Sequence, residues 1–226
     1  MKRIIISGVV LLMLLPATLI AASGCGRDGG IDKPGELEPV EVREYEGMKL
    51  SSADDFRENF IKGPQQLDKE TYQLMITGLV ENPKSYLYEE VISQHQHYQK
   101  VVTLDCVEGW SVTILWEGLL VRDLIEESGP LPSAGVVILH AYDGYTTSFP
   151  LDYIMSNDII MAYKMNDITL PPERGFPFQL VAESKWGYKW AKWITAIELS
   201  DDVDYRSYWE SRRCSNSADL DDHFFE

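Results

Sequence analysis

What most constrains this chain is a succession of short β-branched, aromatic and aliphatic runs set between turn-forming residues: 72–80, 100–104, 110–116, 135–141, 145–149, 159–165, 178–182 and 193–199. Pieces of this length and composition suit pleated strands. Helical patterning is sparse. Ser85 as N-cap, with Glu89 and Glu90 near the positive end of the helix dipole, predicts a helix reaching about Gln94. Leu120, Val121, Leu124 and Ile125 form one apolar stripe, Arg122, Asp123 and Glu126 lie off it, and Gly129-Pro130 ends it. A third, short helix begins at Pro150 and turns Leu151, Ile154 and Met155 inward. Dominant strands with irregularly interspersed helices predict an α+β domain with mixed or antiparallel β-sheets, and argue against a regular βαβ alternation. Neither common glycine-rich phosphate loop is present, so no motif supports nucleotide binding.

The first residues have a different character. Lys2 and Arg3 precede an apolar stretch, 4–20, interrupted only by Ser7, Gly8, Pro16 and Thr18. Residues 1–25 therefore read as an export signal. Ala22-Ser23-Gly24-Cys25 resembles a bacterial lipobox, with Ala22 in place of the usual leucine, and Cys25 would receive lipid as the mature N-terminus. An uncleaved anchor is the alternative, because the stretch approaches the roughly 20 residues a membrane span needs. Either version leaves the globular part extracytoplasmic or periplasmic and attached to a membrane. Residues 26–50, rich in Gly, Pro and Glu without a helical or strand period, read as a flexible linker. The folded domain is then 51–226.

Charge narrows the partners. With 20 basic against 36 acidic residues the net charge is −16, and a polyanion such as nucleic acid would be repelled. Against that background, 172–193 is locally basic: Arg174, Lys185, Lys189 and Lys192 outnumber Glu173 and Glu183. Such a segment is where an acidic protein would hold an anionic ligand. The aromatic run Trp186, Tyr188, Trp190 and Trp193 then reads as packing over a ligand or core.

With Cys25 assigned to lipid, Cys106 and Cys214 remain. In an oxidising compartment they would pair as a disulfide, or either would be a buried free thiol. Cys106 lies in Thr103-Leu104-Asp105-Cys106-Val107-Glu108-Gly109-Trp110-Ser111, between two strand runs, on a short connection where a site can open. A thiolate there is a soft ligand suited to a redox metal.

This run resembles the segment around the molybdenum-coordinating cysteine of the sulfite-oxidase-like molybdopterin-binding oxidoreductases. Further segments resemble that family in the same order: 54–64, Gly78-Leu79-Val80-Glu81-Asn82-Pro83, 140–148, Leu170 to Pro177, 185–194 and 208–216. The resemblance implies a molybdenum-molybdopterin cofactor (Mo cofactor) with Cys106 as metal ligand and catalytic centre. It implies cofactor contacts at Asn59, Ala141, Tyr142, Arg174, Gln179, Lys185, Tyr188, Lys189 and Lys192. Gln179 departs from the pattern, standing where the family usually carries an arginine. The residues after the cysteine, Val107, Glu108, Gly109 and Trp110, lack the basic side chains of true sulfite oxidases and resemble the branch of periplasmic methionine sulfoxide reductases.

The implied activity is two-electron oxygen-atom transfer on a small-molecule substrate of sulfoxide or sulfite type. No haem-attachment, flavin or iron–sulfur motif is present, so electrons would pass to or from a separate redox partner, a cytochrome or membrane electron carrier. The contrasting expectation is a cofactor-less binding lipoprotein of the same fold, stapled by a Cys106–Cys214 disulfide.

Overall fold

All eight apolar runs form strands in the computed structural model, which describes residues 39–57 and 59–225. In chain order the elements are β1 (Glu44–Tyr45), β2 (Met48–Lys49), β3 (Gln73–Gly78), β4 (Lys84–Leu87), α1 (Tyr88–Gln94), β5 (Tyr98–Asp105) and β6 (Ser111–Leu120). There follow α2 (Val121–Ser128), β7 (Val136–Ala141), β8 (Thr146–Pro150), α3 (Leu151–Ser156), β9 (Ile160–Met165), β10 (Ile168–Thr169), β11 (Gln179–Val181) and β12 (Ile194–Ser200).

Two five-stranded sheets carry the fold. One has the order β10-β9-β6-β5, with β11 also paired to β9, and every pairing in it is antiparallel. The other has the order β4-β3-β12-β7-β8 and is mixed, because β12 runs parallel to β3 and antiparallel to β7. This is the α+β architecture of mixed and antiparallel sheets that the strand-rich pattern predicts. In β3 the alternation buries Leu74 and Ile76, whereas in β9 Ile160, Met161, Ala162 and Tyr163 are all buried, as for a strand covered on both faces. The apolar stripe of α2 buries Val121, Leu124 and Ile125, and the helix touches both β6 and β3, joining one sheet to the other. Gly129 ends it in the left-handed conformation, returning its N–H to the Glu126 carbonyl at 3.1 Å. No helix among the described residues is long and apolar enough to cross a membrane.

Two boundaries differ from expectation. Ser85 is no N-cap; it pairs with Met75 in β4, because the alternation that buries Tyr86 serves the sheet. Helix α1 starts at Tyr88, and the Glu90 carboxylate accepts the Leu87 N–H at 2.8 Å. Ordered structure also reaches back into the stretch read as linker. β1 and β2 pair as a hairpin, and the Glu41 carboxylate accepts bonds from Ser52 Oγ, the Ala53 N–H and Asn166 Nδ2 at 2.9, 2.7 and 2.7 Å. These long-range bonds tie a polar stretch that has no period of its own. The lipobox and residues 26–38 lie outside the described residues.

Candidate active site

Cys106 sits on the hairpin connection between β5 and β6, whose last paired residues are Asp105 and Ser111. The Cys106 N–H donates to the Trp110 carbonyl and the Gly109 N–H to the Cys106 carbonyl, each at 2.9 Å, closing a tight turn. Gly109 has φ +80°, a conformation glycine adopts without the steric penalty of a side chain. A second backbone segment closes on the cysteine: a Cβ on Gly187 would stand 3.3 Å from the Asp105 carbonyl and 3.5 Å from Cys106 Cα. The buried thiol is thus fixed between two turns. Burial pushes its pKa up; the Glu108 charge adds to this, while the Glu108 backbone N–H and Arg57 oppose it. A protonated thiol is the result without a metal, and a metal cation reverses that balance.

The thiol lines an open cavity of about 260 Å³. Its walls come from both sheets: Leu104, Cys106 and Gln179 from β5, its turn and β11, and Asp143 and Tyr145 from the connection between β7 and β8. Three cations line it, Arg57, Arg174 and Lys192, with two acids, Glu108 and Asp143. Arg174 is buried, donates from Nε to the Ala53 carbonyl at 2.9 Å and lies 4.6 Å from the Phe56 ring. Lys192 reaches the carbonyls of Asn59 and Glu173 at 3.2 and 3.3 Å and sits 3.9 Å from the Phe60 ring centre. Asn59 Nδ2 and Trp110 Nε1 both reach the Glu108 carboxylate, at 3.4 and 3.2 Å, joining the 56–61 segment to the cysteine turn. Gln179 is only 3% exposed, and its Oε1 has no hydrogen-bond partner among the described residues.

Of the candidates read from sequence, Asn59, Cys106, Arg174, Gln179, Tyr188 and Lys192 line this cavity, whereas Ala141, Tyr142, Lys185 and Lys189 do not. Lys189 is fully buried and pairs with the equally buried Glu210 at 2.5 Å, also donating to the Ser148 carbonyl at 2.9 Å. Lys185 pairs with Asp219 at 2.5 Å and lies 4.5 Å from the Tyr153 ring. Long-range acidic partners thus draw both ammonium groups away, and only Lys192 and Arg174 of the basic segment reach the cavity. Ala141 is spent within β7 beside it, and Tyr142 is exposed next to the lining residue Asp143.

Sequence reasoning did not single out Phe56, Arg57, Phe60, Tyr145, Trp209, Phe224 or Phe225, all of which line the cavity. Phe56 and Phe60 flank Asn59 within a stretch that carried a signal; Phe224 and Phe225 had none. Cys214 also lines the cavity, and both it and Cys106 are free and buried, so no disulfide joins these two.

These residues fit a metal cofactor that brings most of its own ligands and an anionic tail. Among the described residues no three His, Cys, Asp or Glu side chains converge as a metal site; the thiols that line the cavity are those of Cys106 and Cys214. The unpartnered Gln179 carbonyl is an acceptor awaiting a donor, and Arg174 and Lys192 supply positive charge.

A family model described as the oxidoreductase molybdopterin binding domain matches residues 61–209, and the chain belongs to this sulfite-oxidase-like family of enzymes. It is 34% identical over 148 residues to an uncharacterized oxidoreductase of Bacillus subtilis, YuiH, covering 65% of this chain and 74% of that protein. It is 29% identical over 147 residues to the protein-methionine-sulfoxide reductase catalytic subunit MsrP of Gluconobacter oxydans, covering 58% of this chain. The alignment takes in 47% of that subunit, so the chain spans about half the length of such relatives. The solved sulfane dehydrogenase SoxCD of Paracoccus pantotrophus shares the fold, with a TM-score of 0.62 and 24% identity over 66% of this chain and 43% of that one. Membership of an oxidoreductase family and the two free thiols leave the stapled, cofactor-less binding protein without support.

Proposed function

We propose that this enzyme reduces sulfoxides with a molybdenum-molybdopterin cofactor held at Cys106. One observation carries the reading: the Cys106 thiol, the unpartnered Gln179 carbonyl, Arg174 and Lys192 line one cavity. When bound, the cofactor supplies two-electron oxygen-atom transfer. The chain supplies the rest. Cys106 would give the metal a thiolate ligand, and Arg174 and Lys192 would hold the anionic end of the pterin. Gln179 would accept a hydrogen bond from it, with Asn59 and Tyr188 in the polar wall.

Sulfoxide is favoured over sulfite by the apolarity of the space beside the thiol. Phe56, Phe60, Val107 and Trp110 line the same space and suit a neutral sulfur compound with apolar substituents. Electrons come from a separate carrier, in accord with the absence of a second redox motif in the sequence.

The test is Cys106→Ser. The variant is expected to keep its far-ultraviolet circular dichroism and lose molybdenum by elemental analysis, together with sulfoxide reduction. Stoichiometric molybdenum in the folded variant would refute the assigned role. We also propose that the enzyme works outside the cytoplasm, tethered through lipid on Cys25. The signal-like pattern of residues 1–25 supports this, and a Cys25→Ser chain should then leave the membrane fraction; if it stays, the lipid tether is wrong.

A further inference from the structure

The segment Cys214–Phe225 lies beyond residues 61–209, the span matched by the family model, yet it supplies Cys214, Phe224 and Phe225 to the cavity wall. It is held there as a strap. Backbone bonds run from the Trp186 N–H to the Ala218 carbonyl at 2.9 Å, from the Leu220 N–H to the Ser184 carbonyl at 3.1 Å and from the Ser215 N–H to the Phe224 carbonyl at 3.0 Å. Tyr188 Oη donates to the Ser215 carbonyl at 2.8 Å, and Lys185 holds Asp219. Phe224 packs edge-on against Trp186, and Phe225, 63% exposed, lines the cavity with its ring centre 4.6 Å from that of Phe224. An aromatic ring is left in water there while the backbone beneath it is fixed.

The side chains that the strap shows the cavity, Cys214, Phe224 and Phe225, decide which end of it the strap serves. Between Cys214 and Phe225 there are three aspartates, Asp219, Asp221 and Asp222, and no lysine or arginine. None of these aspartates lines the cavity and Asp219 is paired with Lys185, so the strap brings no cation to the anionic end of a pterin cofactor, whereas Arg174 and Lys192 line the cavity elsewhere. What it offers instead is apolar surface. We infer that this strap forms the substrate side of the pocket, with Phe224 and Phe225 as specificity-determining residues that select sulfur compounds carrying an aryl or other bulky apolar substituent. The inference rests on the sulfoxide reading above and names the substrate class more narrowly. Asp219 acts at one remove: it touches no substrate and positions the strap through Lys185.

The test uses the molybdenum-loaded full chain and two sulfones, methyl phenyl sulfone and dimethyl sulfone, which resemble the sulfoxides in shape. Binding is read from the fluorescence of the cavity tryptophans, Trp110, Trp190, Trp193 and Trp209. The unaltered enzyme is expected to prefer the phenyl sulfone by about tenfold or more, the scale of burying one ring. Phe225→Ala, at an exposed position that leaves folding intact, is expected to remove most of that preference, and Phe225→Leu to keep part of it. Asp219→Asn is expected to lower the preference as well, with hydrogen exchange faster over 214–225. A preference that survives both Phe225→Ala and the double change with Phe224→Ala overturns the inference, as does equal binding of both sulfones by the unaltered enzyme, and in either case the sulfoxide reading stands. If the loaded enzyme binds neither sulfone, both fall.

Discussion

Gln179 connects stability to cofactor binding at the level of one side chain. A buried carbonyl without a partner costs about 1–3 kcal/mol, and Gln179 Oε1 has no partner among the described residues. Gln179→Leu removes the unpaired acceptor while keeping the volume. Urea denaturation of the cofactor-free variant should show stability unchanged or up to about 2 kcal/mol higher. Its molybdenum content should fall several-fold. A clear loss of stability would mean that Gln179 already has its partner and is no cofactor contact. Cys106 has the opposite balance: burial and Glu108 hold its proton on, and only a cation within bonding distance makes the thiolate favourable.

Among the elements, the turn ahead of β12 depends on Lys189 and Glu210, both fully buried. Burial pulls the lysine pKa down and Glu210 opposes the fall. Lys189→Met strands Glu210 without a counter-charge and should cost about 3–5 kcal/mol in urea denaturation. Adding Glu210→Leu should recover much of it; if the single change is silent, the pair is not structural. This pair also shows what the sequence could reveal. Strands, the α2 stripe and the cysteine turn are legible because side-chain alternation, a 3.6-residue period and a Gly109 turn are local properties. The basic segment was legible as charge but not as geometry, since whether Lys185, Lys189 and Lys192 face a ligand depends on Asp219, Glu210 and Glu173, and the first two are distant in sequence. Ser85 was misread because a good cap residue also fits an edge of a sheet, and the pairing with Met75 decided it. β1 and β2, two residues each, have too little alternation to register.

For the molecule as a whole, acid is the stress its electrostatics resist least. Burial pushes Glu41 and Glu117 up, but bonds from Asn166, Ala53 and Ser52 to the first, and from Tyr163, Gln99 and Lys164 to the second, leave both below the ordinary 4.5. Lys84 foremost, with Tyr86 and His95, lowers Glu127. A carboxyl whose folded pKa lies below its unfolded one contributes stability above the unfolded value and loses it as pH falls through the folded one. Urea midpoints should therefore drop between about pH 5 and pH 3. They should drop less steeply in a chain carrying Glu41→Gln, Glu117→Gln and Glu127→Gln; an equal slope would show that these three carboxylates do not govern acid unfolding.

The cavity has walls from both sheets, with Cys106 and Gln179 on one side and Asp143 and Tyr145 on the other. Any tightly held occupant therefore becomes a rivet between the two sheets, which α2 also joins. Ligand at a hundred times its dissociation constant adds about 2.7 kcal/mol to the folded state, and here that increment falls on the seam itself. Loaded and unloaded molecules should thus part company when heated, and a simple melting scan would sort a preparation into matured and immature protein before any turnover is measured.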